Sequence, residues 1–242
     1  MNRTKLVFWL IGFALIIDIN TMKAQTKAGN GDALSPQQKG IVTIAALTAN
    51  GDIDRLKTAL PAALEAGLSI NEIKEELTQL YAYCGFPRSL NAIGVFKTVL
   101  EERKAKGIID PEGKPILVEN NVNDKYEQGR KVLETLTNTP QPKPAPGFGA
   151  FAPRIDAFLK EHLFADIFAS DILTYEQREL ATIAALAAMP GVTSQLQAHI
   201  GMGRNTGINE KQLEKTFDLI EKHIGQQQAE SARAVLLKMK TQ

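Results

Sequence analysis

The sequence predicts an all-α fold. Three observations carry that expectation. Ser, Thr and Asn residues stand before apolar stretches with Gln or Glu three positions on, which is the pattern of a capped helix start. Apolar residues recur three and four apart, the spacing of one helix face. The whole arrangement returns about 140 residues later in the chain. No stretch reads as a strand.

The elements follow in order. Ser35-Pro36-Gln37-Gln38 opens the first helix. Serine caps it, proline sits in the first turn where its missing N–H costs nothing, and Gln38 closes a capping box. The helix is expected to about Ala49 and to stop at Asn50-Gly51. A second helix is expected from near Asp54 to Gly67. Ser69-Ile70-Asn71-Glu72 is another capping box, opening a helix through Tyr83. A fourth runs from about Pro87 to Lys106, with Leu90, Ile93, Phe96, Val99 and Leu100 on one stripe.

The second occurrence shares caps and apolar positions with the first at one offset, with one residue inserted. Leu34-Ser35 through Leu47 is paralleled by Leu173-Thr174 through Leu186. The caps recur as Thr174 with Gln177 and Asn209 with Gln212. Leu56 corresponds to Leu196, Gly67-Leu68 to Gly207-Ile208, Gly85 to Gly225 and Ala92 to Ala232. Each half is a small helical unit with an apolar face, so the two are expected to bury those faces against each other as a pseudo-symmetric pair. This gives a first repeat at 34–106, a connecting segment at 107–172 and a second repeat at 173–242. Within the connecting segment, Asp110-Pro111-Glu112-Gly113 reads as a turn and Tyr126 to Leu136 as a helix. Thr139 to Pro153, with five prolines, reads as an extended linker, and Asp156 to Phe168 as a helix.

Residues 1–24 stand apart from this fold. Arg3 and Lys5 precede an apolar run of 12 residues from Leu6 to Ile17, and Met22-Lys23-Ala24 follows before Gln25. This is the layout of a secretory signal peptide, so export to the periplasm or medium is expected. The run is shorter than the roughly 18 residues that a membrane span needs, and no cysteine follows it for lipid attachment. No stable membrane insertion is therefore expected after cleavage, with an uncleaved anchor as the other reading. Small polar residues at 25–33 predict a disordered lead-in.

Composition narrows the function classes. A hydrophobic content of 44%, a charged content of 23% and a net charge of +1 give no electrostatic case for a nucleic-acid partner. One cysteine excludes an internal disulfide and a zinc site built on several thiolates. Three histidines, His162, His199 and His223, leave little material for a His-rich metal site.

Cys84 lies in the stretch Ala82 to Ala92, between Tyr83 and Phe86 and close to Arg88, where one helix ends and another begins. A thiol beside a helix N-terminus and a cation is reactive through a lowered pKa; a thiol in a tight turn is also an ordinary small hydrophobe. The halves differ at this point. Cys84 aligns with Ile224, Pro87-Arg88 with Gln227-Gln228, and His199 with Ala59. Gly201 and Gly203 flank Met202 just after His199. Glycine costs a helix about 1 kcal/mol relative to alanine, so a close approach to the backbone is expected there. Pairing of the halves would bring the Cys84 thiol and the His199 imidazole to one pocket.

His199 reads as a proton donor or acceptor, or as an interface histidine held by a hydrogen bond. Glu75 reads as a partner of Arg88 or His199, or as a solvated carboxylate. Arg88 reads as a fork for a substrate carboxylate, or as a helix-end surface charge. Tyr83, Asn91 and Arg204 complete the expected substrate-binding set. His162 and His223 have no constellation around them and are assigned to structure; Tyr126 and Tyr175 are assigned to packing.

The residues Leu34, Gly67-Leu68-Ser69, Glu72-Ile73-Lys74-Glu75 and Tyr83-Cys84-Gly85-Phe86-Pro87-Arg88-Ser89-Leu90-Asn91-Ala92 together resemble the carboxymuconolactone decarboxylase family. Residues 173–240 resemble a second, more diverged copy. Tyr126-Glu127-Gln128-Gly129 and Glu161-His162-Leu163-Phe164 are similar to the joining segment of tandem members. The resemblance implies an all-α fold assembled into rings, here a trimer with pseudo-sixfold symmetry or a hexamer. It implies two activities. One branch decarboxylates γ-carboxymuconolactone without metal or organic cofactor. The other, similar to alkylhydroperoxidase D, reduces peroxides with a Cys-x-x-Cys pair assisted by glutamate and histidine. Here Pro87 stands for the second cysteine and Asn91 for the histidine. The resemblance therefore implies a cofactor-free decarboxylase or related lyase acting on a small carboxylated lactone or carbonyl compound, with Cys84, His199 and Glu75 as catalytic candidates. A single-cysteine thiol peroxidase using Cys84 and an external resolving thiol is the alternative. A non-catalytic, ring-forming periplasmic protein is the third reading.

Overall fold

The four capping boxes form as their spacing requires. The Ser35 N–H donates to Gln38 Oε1 at 2.8 Å, and Ser69, Thr174 and Asn209 make the same reciprocal contact with Glu72, Gln177 and Gln212. Each box satisfies two backbone groups that a helix start would leave bare. The computed structural model describes residues 34–117 and 120–241. The expected signal segment and lead-in lie outside the described residues.

The first run comprises α1 (Pro36–Asn50), α2 (Ile53–Glu65), α3 (Ile70–Cys84) and α4 (Phe86–Ala105). Gly51 closes α1 in the left-handed region at φ 80°, where a side chain would be strained. The connecting segment holds α5 (Lys125–Thr137), two short helices, α6 (Phe148–Phe151) and α7 (Pro153–Ala157), and a π-helix at Phe158–Ile167. The second run is α8 (Tyr175–Ala188), α9 (Thr193–Thr206), α10 (Glu210–His223) and α11 (Gln226–Lys238). Among the described residues there is no strand, and no helix is long and apolar enough to cross a membrane.

The core is built on α1 and α8. Both are apolar on most of their circumference, the mark of a helix enclosed by others. Ile41, Ile44, Ala45 and Leu47 of α1, and Leu180, Ile183, Ala184 and Leu186 of α8, are all buried. The two helices pack on each other, α3 lies on α8, and α10 lies on α1. Full burial of each Leu, Ile or Phe contributes about 1.5–3 kcal/mol.

The connecting segment departs from its sequence reading. The stretch expected to be extended from Thr139 to Pro153 contains α6, and the single helix expected at Asp156–Phe168 is α7 followed by the π-helix. The two windings differ by less than one residue per turn, so an apolar stripe of this length does not tell them apart. The π-helix packs against α5 at Gly129, where any Cβ would collide with the Lys160 carbonyl. Lys160 is buried and ion-paired with Asp156, which also accepts from the Tyr126 hydroxyl at 2.6 Å. Leu136, Leu163, Phe164, Ile167 and Phe168 form a second apolar cluster with Met202 of α9.

Candidate functional site

Two polar clusters are buried where α3 of the first run meets α8 and α9 of the second. The first surrounds Arg178, which has no exposed surface. Its guanidinium donates to Glu75 Oε1 at 2.8 Å, to Gln79 Oε1 at 2.9 Å and to the Ser170 carbonyl at 2.9 Å. Gln79 donates back to the Arg178 carbonyl and to Thr182 Oγ1, both at 2.9 Å. Burial pulls Arg178 below the usual arginine range, and the Glu75 carboxylate opposes it. Glu75 is thus neither solvated nor paired with Arg88 or His199, as the sequence suggested. Its partner lies 103 residues away. It is a clamp between α3 and α8, not a free catalytic base.

The second cluster surrounds His199. This side chain is 7% exposed, and its Nδ1 lies 2.7 Å from Oε2 of Glu179, which is fully buried. The edge of the Tyr83 ring faces the imidazole, with centroids 5.3 Å apart and planes at 81°. The Tyr83 hydroxyl and Glu179 Oε1 are both buried without a hydrogen-bond partner. Thr182 lies near that hydroxyl, too loosely for a bond of good geometry. Burial first, and the Glu179 charge second, push Tyr83 above the usual phenol range, so it remains an O–H donor. A carboxylate on one ring nitrogen fixes the imidazole orientation and decides which nitrogen is left to exchange a proton.

Close helix packing makes this pair possible. A Cβ on Gly203 would meet Ile183 Cδ1 at 2.9 Å and Ile208 Cδ1 at 3.1 Å, so α9 can approach α8. The expected close approach is therefore real at Gly203; at Gly201 nothing lies within 4 Å of such an atom.

Cys84 is the last residue of α3, half-buried, and its thiol donates to the Leu80 carbonyl at 3.2 Å. Burial pushes the thiol up, and the Arg88 cation only partly offsets this. The activated thiolate that the sequence allowed is therefore not favoured here. The sulfur sits at the carbonyl end of α3, where the helix dipole is negative, two residues before the start of α4. Among the described residues Cys84 and His199 share no hydrogen-bond partner.

The other expected residues are scattered. Arg88 is exposed, with Nη1 3.5 Å from Met189 Sδ at the end of α8. Asn91 is exposed and faces a separate groove between α2 and α4, beside Ile53 and Val95. Arg204 is half-buried in the last turn of α9. Of the candidate set, the structure brings together Tyr83 and His199 and adds Glu179, which sequence reasoning missed. It also pairs His162 with Asp166 at 3.1 Å. Among the described residues, no three His, Cys, Asp or Glu side chains are grouped to hold a metal ion.

The model of the carboxymuconolactone decarboxylase family matches residues 19–98, a stretch that takes in α1, α2, α3 and most of α4. Residues 19–98 therefore carry a domain of that family. The match does not extend to α8–α11. No curated protein matches the chain.

Proposed function

We propose that the protein is a cofactor-free acid–base lyase of the decarboxylase type, acting on a small carboxylated lactone or carbonyl compound. The observation that carries this reading is the buried Glu179–His199 pair, 2.7 Å apart, beside the unpartnered Tyr83 hydroxyl. Decarboxylation next to an electron-accepting carbonyl needs no redox step. The bonding pair of the C–CO₂⁻ bond moves into the carbonyl system, carbon dioxide leaves, and an enolate remains. His199 then delivers a proton to the enolate carbon and recovers one from water. Glu179 holds the ring and stabilises its cation. The Tyr83 O–H donates to the developing oxyanion.

The second run is read as a diverged copy of the family module. Its repeated caps at Thr174 and Asn209, and the reciprocal packing of α3 on α8 and α10 on α1, support that reading. Export follows from the leader-like residues 1–24. Homo-oligomer formation is supported by large apolar side chains left exposed, Leu90 and Leu237 among them. The raised Cys84 thiol speaks against a single-cysteine peroxidase.

The test is carbon dioxide release from a panel of lactone acids and β-keto acids by the wild type, His199→Asn and Cys84→Ser. General acid–base catalysis contributes about 10²–10⁴-fold, so His199→Asn should lose at least about 100-fold in kcat/KM. Cys84→Ser should be unchanged. A wild type that turns over no acid, or a His199→Asn variant at full rate, overturns the proposal. Peroxide reduction abolished by Cys84→Ser would establish the peroxidase in its place.

A further inference from the structure

Exposed aromatic surface also gathers beside an imidazole other than His199, that of His162. It lines a groove of about 710 Å³ between the α3–α4 turn and the π-helix. Sites for small organic molecules span roughly 300–1,000 Å³. One wall is flat: Tyr81 and Phe86 stack with centroids 4.4 Å apart and planes at 20°. Phe158 and Leu159 of the π-helix line the same groove. Phe86 and Phe158 are 60% and 57% exposed, an apolar area that a bound ring would remove from water.

The polar part of the groove is organised in a way its sequence did not reveal. His162 Nδ1 is 3.1 Å from Asp166 Oδ2, and Lys125 Nζ is 2.8 Å from Asp166 Oδ1. Burial works to raise the Asp166 carboxyl, but the Lys125 and His162 contacts outweigh it and hold it below the usual range. An ionised Asp166 takes the Nδ1 proton as its hydrogen-bond donor. In the neutral ring Nε2 is then an acceptor. His162 also lies against Tyr81, with centroids 5.6 Å apart, so the acceptor and the aromatic wall belong to one surface.

The charges select among ligands. Lys125 is engaged by Asp166, and Glu161 on the same groove adds a second carboxylate. With the His162 ring neutral, Lys125, Asp166 and Glu161 together carry one negative charge, which an anionic ligand would meet. A neutral one would not, and an O–H donor would satisfy His162. We propose that this groove is a second binding site, for a neutral phenol or related aromatic alcohol, with its ring against Tyr81, Phe86 and Phe158 and its hydroxyl donating to His162. The ligand class differs from the carboxylated substrate assigned to His199, and the proposal does not rest on that assignment.

The test is isothermal titration of the full chain with 2-naphthol, naphthalene and 2-naphthoate, with sedimentation run in parallel. 2-Naphthol should saturate one site per chain, with naphthalene and 2-naphthoate each about tenfold weaker or more. His162→Ala should weaken 2-naphthol by about tenfold and leave naphthalene unchanged, because one hydrogen bond is lost and the wall is kept. His162→Gln, which retains an acceptor, should recover part of the loss. Absence of 2-naphthol binding, equal binding by His162→Ala, or 2-naphthoate as the tighter ligand overturns the proposal. So does a Phe158→Glu variant that converts a self-associated wild type to monomers, since the groove would then be an interface between copies. These readouts are binding and mass, so they fail or succeed independently of any lyase activity.

Discussion

Glu179 Oε2 holds His199 Nδ1 at 2.7 Å, and the other oxygen of the same carboxylate is buried with no partner. A carboxylate this enclosed is costly unless its one good contact matters to folding or to chemistry. Replacing it separates those roles. Glu179→Gln keeps an acceptor for Nδ1 and loses the charge that steadies an imidazolium. Turnover should fall about 10- to 100-fold in kcat with KM little changed and the helical circular dichroism intact. Glu179→Asp, which keeps the charge at shorter reach, should recover part of the rate.

Cys84 should behave as a slow thiol. At pH 7 its alkylation by iodoacetamide, followed by intact mass, should be slower than that of free cysteine and should rise through and beyond the ordinary thiol range. The Arg88 cation favours the thiolate here, so Arg88→Ala should slow the reaction further. A rate at pH 7 above that of free cysteine would restore the peroxidase reading.

Glu76 makes stability fall with rising pH. It is fully enclosed between α3 and α1, and burial raises its carboxyl well above 4.5 despite the facing Ala45 backbone. The folded chain therefore keeps a proton that the unfolded chain releases. Its contribution is fully present below the unfolded value near 4.5 and is lost as pH climbs through the folded value. Carboxyls held low, such as Asp52 and Asp218, act in the opposite sense and lose their contribution as pH falls. Glu76→Gln should stabilise the protein by about 1–3 kcal/mol at pH 8 in urea unfolding, with the gain shrinking toward pH 4.

Breaking the Glu75–Arg178 clamp should be severe. Glu75→Ala leaves a guanidinium with no exposed surface short of its anion, at a cost of about 3–5 kcal/mol by urea unfolding. The double replacement Glu75→Leu with Arg178→Met should recover much of that loss, because it removes both charges from the interior.

The helices were legible because their signals are local. Each capping box spans four consecutive residues, and Gly51 and Gly67 mark stops by their own backbone preference. The site was less legible because its contacts are not local. Glu75 reads from the sequence as a partner of Arg88 or His199, yet it takes Arg178. Glu179 looked like part of an ordinary core helix. One signal did exist: Glu179, Ile183 and Leu186 fall in step on the buried stripe of α8, and a carboxylate on such a stripe needs a partner. His162 was set aside for want of neighbours, yet its partner Asp166 stands four residues on, on a helix whose winding the sequence does not reveal.

Tyr83 comes from the first run of helices and His199 from the second, and their rings touch across the seam between them. Ownership of the proposed acid–base pair is therefore joint. A gene truncated after α4 would inherit the family-matched helices without His199, and one beginning at α8 would inherit His199 without Tyr83. For the proposed chemistry, the two runs together, and neither alone, are the smallest heritable unit on which selection can act.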